Sequence, residues 1–134
     1  MTYPKMIPPS TATLYEGELA TFWFDENGIL CAISKNIPRT LQMQKDNYAF
    51  INKITANKKV CVLTDTTNSL PQDKAIRDYL STEIPKAFKA MAIISKSPLG
   101  QIVANIFVSV QQNIIPIKFF QHEHEAKEWL KNYL

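Results

Sequence analysis

The sequence predicts an α/β domain built on a mixed, mainly parallel sheet. Three observations predict it: an Asn-Gly turn between two apolar stretches, alternating strand and helix patterns from residue 41 onward, and short apolar runs typical of buried parallel strands. The predicted order is β-β-β-α-β-α-β-α-β-α, with an N-terminal antiparallel hairpin and about four helices. A chain of 134 residues fits one domain, residues 11–134, preceded by an extended proline-rich arm, residues 1–10.

The hairpin is predicted over residues 20–34. Residues 21–24 are aromatic and strand-prone, Asn27 and Gly28 form the turn, and residues 29–34 return as an apolar strand. A shorter strand-prone stretch, residues 11–15, comes before it.

Helical spacing of apolar residues marks four further segments, which are residues 41–55, 75–80, 98–112 and 123–134. Thr40 supplies a cap for the first helix, and Pro85 is expected to end the second in an irregular turn. The third helix begins at a Ser-Pro pair. Apolar strands alternate with the helices at residues 60–63, 90–95 and 117–120.

The composition is that of a folded domain without a nucleic-acid surface. Hydrophobic residues make up 46% of the chain, enough to fill a core. The net charge of +3 comes mostly from scattered lysines, and Arg39 and Arg77 are the only arginines. A nucleic-acid surface would concentrate charge on one face and favour arginine.

The two cysteines are predicted to be buried thiols. Cys31 and Cys61 lie in apolar strands and match no zinc or redox spacing, which suits a reducing compartment. The first nine residues do not resemble a signal peptide, and no run reaches the ~18 apolar residues of a spanning helix. We therefore expect a cytoplasmic protein without stable membrane insertion.

No catalytic residue, metal site or cofactor is predicted. The three glycines lie far apart, so no phosphate-binding loop forms. His122 and His124 are two residues apart, which on a helix turns their side chains about 200° from each other. Glu123 and Glu125 instead suit the first turn of a helix, where acidic residues stabilise the helix dipole. Neither cysteine lies where a thiolate would be activated.

The polar loop at residues 64–69 is the first candidate binding site. It follows a buried strand and precedes a helix, where open parallel sheets place their ligand crevices. Its candidate ligand residues are Asp65, Thr66, Thr67 and Ser69. The alternative is an ordinary loop whose side chains cap the backbone.

The predicted helix at residues 98–112 is the second candidate surface. Val108 and Ala104 lie outside its main apolar stripe, which includes Ile102 and Ile106. A second apolar side indicates another contact, for which Ile102, Ile106 and Val108 are the candidate residues. Self-association into a homodimer is the simplest explanation, a lipid or fatty ligand is an alternative, and a wholly internal helix is the third.

The pattern resembles a STAS domain, the fold of bacterial anti-sigma-factor antagonists, in its SpoIIAA-like branch. The likeness is carried by residues 59–65 with their loop, by 97–99, and by 118–120 leading into 125–130. It is also similar to small uncharacterised bacterial proteins related to lipid-binding CRAL-TRIO folds. The resemblance covers residues 12–134 and implies a SpoIIAA-like sheet and a regulatory or ligand-binding role.

The antagonists' phosphorylatable Asp-Ser-Ser-Gly segment aligns with Asp73. Here Lys74 and Ala75 replace the serines and the glycine is missing, which puts that switch in doubt and leaves Thr66, Thr67 and Ser69 as displaced hydroxyls. Asp73 is kept as a candidate ligand- or partner-binding residue. We expect a non-enzymatic domain that recognises a protein partner or a small, partly apolar ligand. The alternatives are a lipid or metabolite carrier with a cavity lined by residues 98–112, and a small enzyme that uses the Asp65 loop.

Overall fold

The structure is a computed structural model and describes residues 4–70, 72–95 and 115–134. Six strands are described: β1 (Tyr15–Glu16), β2 (Ala20–Phe24), β3 (Leu30–Ser34), β4 (Val60–Asp65), β5 (Phe88–Ile94) and β6 (Ile117–Phe120). Three α-helices are described, which are α1 (Leu41–Ile54), α2 (Lys74–Ala87) and α3 (Glu123–Leu130). A short 3₁₀ helix, Lys131–Tyr133, follows α3.

The strands form one sheet in the order β1-β2-β3-β4-β5-β6. The pairs β1–β2 and β2–β3 are antiparallel, and the pairs β3–β4, β4–β5 and β5–β6 are parallel. The predicted α/β class and the mixed sheet with an antiparallel hairpin are confirmed. The prediction of about four helices exceeds the three that are described, because the predicted helix at residues 98–112 lies outside the described residues.

The hairpin turn is held by Asp25. Its carboxylate accepts the backbone N–H groups of Asn27 and Ile29, both at 2.9 Å. Gly28 takes a positive φ of 78°, which side chains rarely adopt. The turn joins β2 to β3 with Phe24 opposite Leu30, as the Asn-Gly signal predicted.

The two crossover helices are capped as their sequences indicate. Thr40 accepts the Met43 N–H at the start of α1, and Asp73 accepts the Ile76 N–H at the start of α2. The prediction that Pro85 ends α2 is wrong, since the helix continues to Ala87. Pro85 lies in the last turn, where its missing N–H removes a single bond near the end of the helix.

The sheet is covered differently on its two faces. On one face, Tyr48 and Ile51 of α1 and Ile84 and Ala87 of α2 pack against the strands. On the other, Ala126 and Leu130 of α3 join the N-terminal arm. We call these the α1/α2 face and the α3 face. Crossovers between parallel strands are nearly always right-handed, so two successive ones between neighbouring strands place both helices on one face.

The N-terminal arm packs against its own domain. Met6 is 1% exposed and lies on the α3 face with Trp23. The proline-rich arm therefore contributes a core residue. Lys5 adds a hydrogen bond from its ammonium group to the Ser95 carbonyl oxygen, at 3.0 Å.

The predicted burial of both cysteines is confirmed. Cys31 and Cys61 are free thiols on the α3 face. Burial raises the pKa of the Cys31 thiol to about 12 and also raises the pKa of Cys61. Both therefore stay protonated, as inert core residues do.

Replacing Gly28 tests the hairpin turn. We expect Gly28→Ala to cost about 1 kcal/mol of unfolding free energy, the penalty for a side chain in the left-handed region. An added Cβ would meet no atom within 4 Å, so collision contributes nothing. Gly28→Asn is the matched control, because asparagine tolerates this conformation and should lose less. Urea unfolding measures both, and equal losses would contradict this account.

Candidate functional site

A cavity of about 590 Å³ lies on the α1/α2 face of the sheet. Its apolar part is formed by sheet residues and by the inner sides of both helices. The main contributors are Phe22, Val62, Met91 and Ile93 from the strands, with Tyr48 and Ile84 from the helices. This lining gives the cavity an apolar floor.

Hydroxyl groups line the cavity at the carboxyl ends of three neighbouring parallel strands. Ser34 ends β3, Thr64 lies near the end of β4, and Ser95 follows β5. The loop after β4 adds three more, from Thr66, Thr67 and Ser69. This is the edge at which open parallel sheets bind their ligands.

The loop after β4 is held by hydrogen bonds to β5 and by one within the loop. Thr66 donates its N–H and its hydroxyl to the Ile94 carbonyl oxygen, at 2.9 and 2.8 Å. Ser69 donates its N–H to the Thr66 carbonyl oxygen at 3.0 Å. These bonds tie the loop to the end of β5 and fix its hydroxyls at the cavity.

Amide side chains connect the two helices beside this loop. Gln44 of α1 is buried and donates its side-chain N–H to the Gln72 side-chain oxygen, at 3.1 Å. Both residues line the cavity, as does Asn47 one turn further along α1. The polar edge therefore runs from β3 through α1 to the start of α2.

The two arginines are the only charged residues among the described residues that line the cavity. Arg39, before α1, is half-buried and donates from Nη2 to the carbonyl oxygens of Leu19 and Lys35, at 3.2 and 3.3 Å. Burial lowers the pKa of its guanidinium. Arg77, on α2, is exposed and donates to the Gln72 carbonyl oxygen. The cavity edge therefore carries positive charge.

Three buried polar atoms at the cavity have no hydrogen-bond partner among the described residues. They are Nε of Arg39, Oδ1 of Asn47 and Oγ1 of Thr67. Thr67 is 7% exposed. Buried polar groups are nearly always hydrogen-bonded, so these three atoms mark a polar edge whose bonding the described residues leave incomplete.

The cavity of about 590 Å³ is partly open to the surface, so solvent or a ligand can occupy it.

Three of the predicted site residues meet at this cavity: Thr66, Thr67 and Ser69. Asp65 and Asp73 are not among the residues that line it. Ile102, Ile106 and Val108, the apolar residues predicted to contact a ligand or partner, lie outside the described residues.

Asp65 has a structural role on the α3 face. It is 1% exposed and accepts the Met6 N–H at 2.8 Å and the Thr67 N–H at 2.9 Å. One carboxylate thus joins the N-terminal arm to the loop after β4. Asp73 serves as the N-terminal cap of α2 and is exposed.

Sequence reasoning missed Arg39, Asn47 and Thr64 as cavity residues. The sequence contained a signal for Arg39, because this residue is one of only two arginines and comes just before the helix that follows β3. Asn47 gave no signal, since a single polar residue on an amphipathic helix is usually a solvent-exposed one.

The two histidines lie at the start of α3. Among the described residues, no group of three histidine, cysteine, aspartate or glutamate side chains could hold a metal ion. His122 precedes α3 and His124 lies in its first turn, both exposed. Glu123 and Glu125 lie in that turn, as predicted from the helix dipole. No helix among the described parts is long and apolar enough to cross a bilayer.

A model of one protein family, described as Domain of unknown function (DUF7793), matches residues 22–134. The chain belongs to the DUF7793 family. No curated protein and no solved structure matches it. The matched part begins within β2 and runs through α3, so it contains most of the cavity lining but not Leu19 and Ala20.

The resemblance to a STAS domain is wrong, because the family that matches is DUF7793 and nothing indicates a STAS domain. The likeness depended on strand and helix order and on a buried strand that ends in aspartate. Many unrelated α/β proteins share such a pattern, which specifies architecture only. Asp73, placed in the phosphorylation segment by that resemblance, is a helix cap.

Replacing Asp65 tests its structural role. We expect Asp65→Asn to lower the unfolding free energy by about 2 kcal/mol, because an amide offers one acceptor to two buried N–H donors. Asp46→Asn, at an exposed position of α1, is the matched control and should stay within about 0.5 kcal/mol of the parent. Urea unfolding gives both values. Equal losses would show that the bonds to Met6 and Thr67 contribute nothing.

Proposed function

We propose that this domain binds a small, partly apolar molecule in the cavity on the α1/α2 face and acts without catalysis. The observation that carries the proposal is the combination of an apolar floor with three unpartnered buried polar atoms at the edge. Small-molecule sites have this composition, with apolar walls and a few placed polar groups, and volumes of about 300–1,000 Å³. The cavity volume of about 590 Å³ falls within that range.

The residue types at the cavity favour binding over catalysis. Its described lining contains hydroxyls, amides and two guanidiniums, but no histidine, cysteine, lysine, aspartate or glutamate. A hydroxyl becomes a nucleophile only with a base within hydrogen-bond reach. Thr67, the most buried of the loop hydroxyls, has no such base among the described residues that line the cavity with it.

Two further expectations remain predictions. A homodimer or a protein partner was inferred from residues 98–112, which lie outside the described residues. Location in the cytoplasm is supported by the two free, buried thiols, which suit a reducing compartment.

Filling the cavity tests the proposed function. Thr64→Phe places a ring where the Thr64 side chain lines the cavity, and Thr82→Phe makes the same change at an exposed position of α2. We expect Nile red, an uncharged fluorescent probe, to bind the parent and Thr82→Phe equally. Thr64→Phe should bind it at least about tenfold more weakly, because the aromatic ring occupies ligand space.

Circular dichroism and urea unfolding would verify that both variants remain folded. Absence of Nile red binding to the parent would contradict the proposal. Equal binding by folded Thr64→Phe and the parent would do so as well, because the probe would then lie elsewhere.

A further inference from the structure

We infer that the ligand of this cavity is an amphiphile whose head group is a carboxylate, held by the guanidinium of Arg39 at the polar edge. The inference builds on the proposed function and names the chemical class of the ligand. Three observations support it: the positive charge of the arginines at the cavity, the unpaired polar atoms beside it, and the capped N–H groups at the starts of the helices.

The positive charge at the cavity has no counter-charge in this chain. All twelve aspartate and glutamate residues lie in the described parts of the chain, and none comes within 4.0 Å of a nitrogen of Arg39 or Arg77. A half-buried guanidinium is costly without an anion, which is why buried charges are usually paired. A ligand anion supplies the missing partner.

The unpaired atoms match what a carboxylate accepts. Within the described parts of the chain, the buried Nε–H of Arg39 and the Thr67 hydroxyl donate to no other residue. Arginine recognises carboxylates through paired N–H groups with a planar geometry. Asn47 also presents a buried amide with an unpartnered oxygen, and a half-turn of that amide exchanges its oxygen for its NH₂ group.

The helix ends at the same edge disfavour a phosphate. Phosphate sites use free N–H groups at helix starts. Here the Met43 N–H bonds Thr40, and the Ile76 N–H bonds the Asp73 carboxylate. The Thr67 N–H in the loop is likewise taken by Asp65. The carboxylates of Asp65 and Asp73 thus bond N–H groups of the loop and of α2, and their negative charge disfavours a doubly charged phosphate more than a singly charged carboxylate.

A matched series of ten-carbon ligands tests this inference by isothermal titration calorimetry at pH 7.5. The series is decanoate, decan-1-ol, decylamine and decyl phosphate, each below its aggregation concentration. We expect decanoate to bind about tenfold more tightly than decan-1-ol, the effect of one charge-assisted hydrogen bond, and decylamine to bind most weakly. Decyl phosphate should not exceed decanoate.

Two variants locate the head group. Arg39→Gln should remove the preference for decanoate over decan-1-ol. Because Arg39 also bonds two backbone carbonyl oxygens, the second variant is Asn47→Asp, which breaks no hydrogen bond of the described structure and adds a negative charge at the cavity. It should weaken decanoate about tenfold and leave decan-1-ol unchanged. Asn52→Asp, exposed on the same helix, is the control and should change neither.

The outcomes separate the two proposals. Failure of all four ligands to bind would overturn the proposed function and this inference together. Equal binding of decanoate and decan-1-ol would overturn the carboxylate and leave the apolar cavity as the binding site. Tighter binding of decyl phosphate, or an unchanged decanoate affinity in Asn47→Asp, would also overturn the carboxylate assignment.

Discussion

The alternation of side chains along β4 determines which polar groups face the cavity. Val62 and Thr64 face α1 and α2, whereas Cys61, Leu63 and Asp65 face α3 and the arm. The side-chain period of a strand is two residues, so a shift by one residue would exchange the two faces completely. In the observed register the hydroxyl of Thr64 lines the cavity. The carboxylate of Asp65 lies on the α3 face, where it accepts the Met6 N–H.

This placement gives the cavity its charge. Were Asp65 on the α1/α2 face, a carboxylate would lie at the same sheet edge as the guanidinium of Arg39. It instead bonds the N–H groups of Met6 and Thr67, which closes the α3 face and orients the loop that carries the cavity hydroxyls. Structural and binding roles are therefore divided between the two faces of one strand.

Much of the fold was predictable because its signals are local. The Asn-Gly turn, the Thr40 cap and the apolar strands each follow from a few neighbouring residues, and all of them are confirmed. The end of α2 was not predictable in this way, because the free-energy cost of a proline in a helix depends on its distance from the helix end, and Pro85 lies in the last turn. The family resemblance failed for a different reason, since element order does not specify a family.

The site was predictable only in part. The loop hydroxyls of Thr66, Thr67 and Ser69 were expected from their place after a buried strand. The role of Asp65 was not, because the run from Val60 to Leu63 is apolar at every position and hides which residues face which side. Arg39 is brought to the cavity by packing between distant segments, which a sequence pattern does not display.

A titration with decanoate followed by ¹⁵N-resolved NMR tests the central claim most directly. The account predicts that the largest shifts fall on the Nε–H of Arg39 and on the backbone amides of Thr67 and Ser69. The indole N–H of Trp23, buried on the α3 face, should not move. Shifts centred on Trp23 and α3, with Arg39 unaffected, would place the ligand on the wrong face and contradict the account.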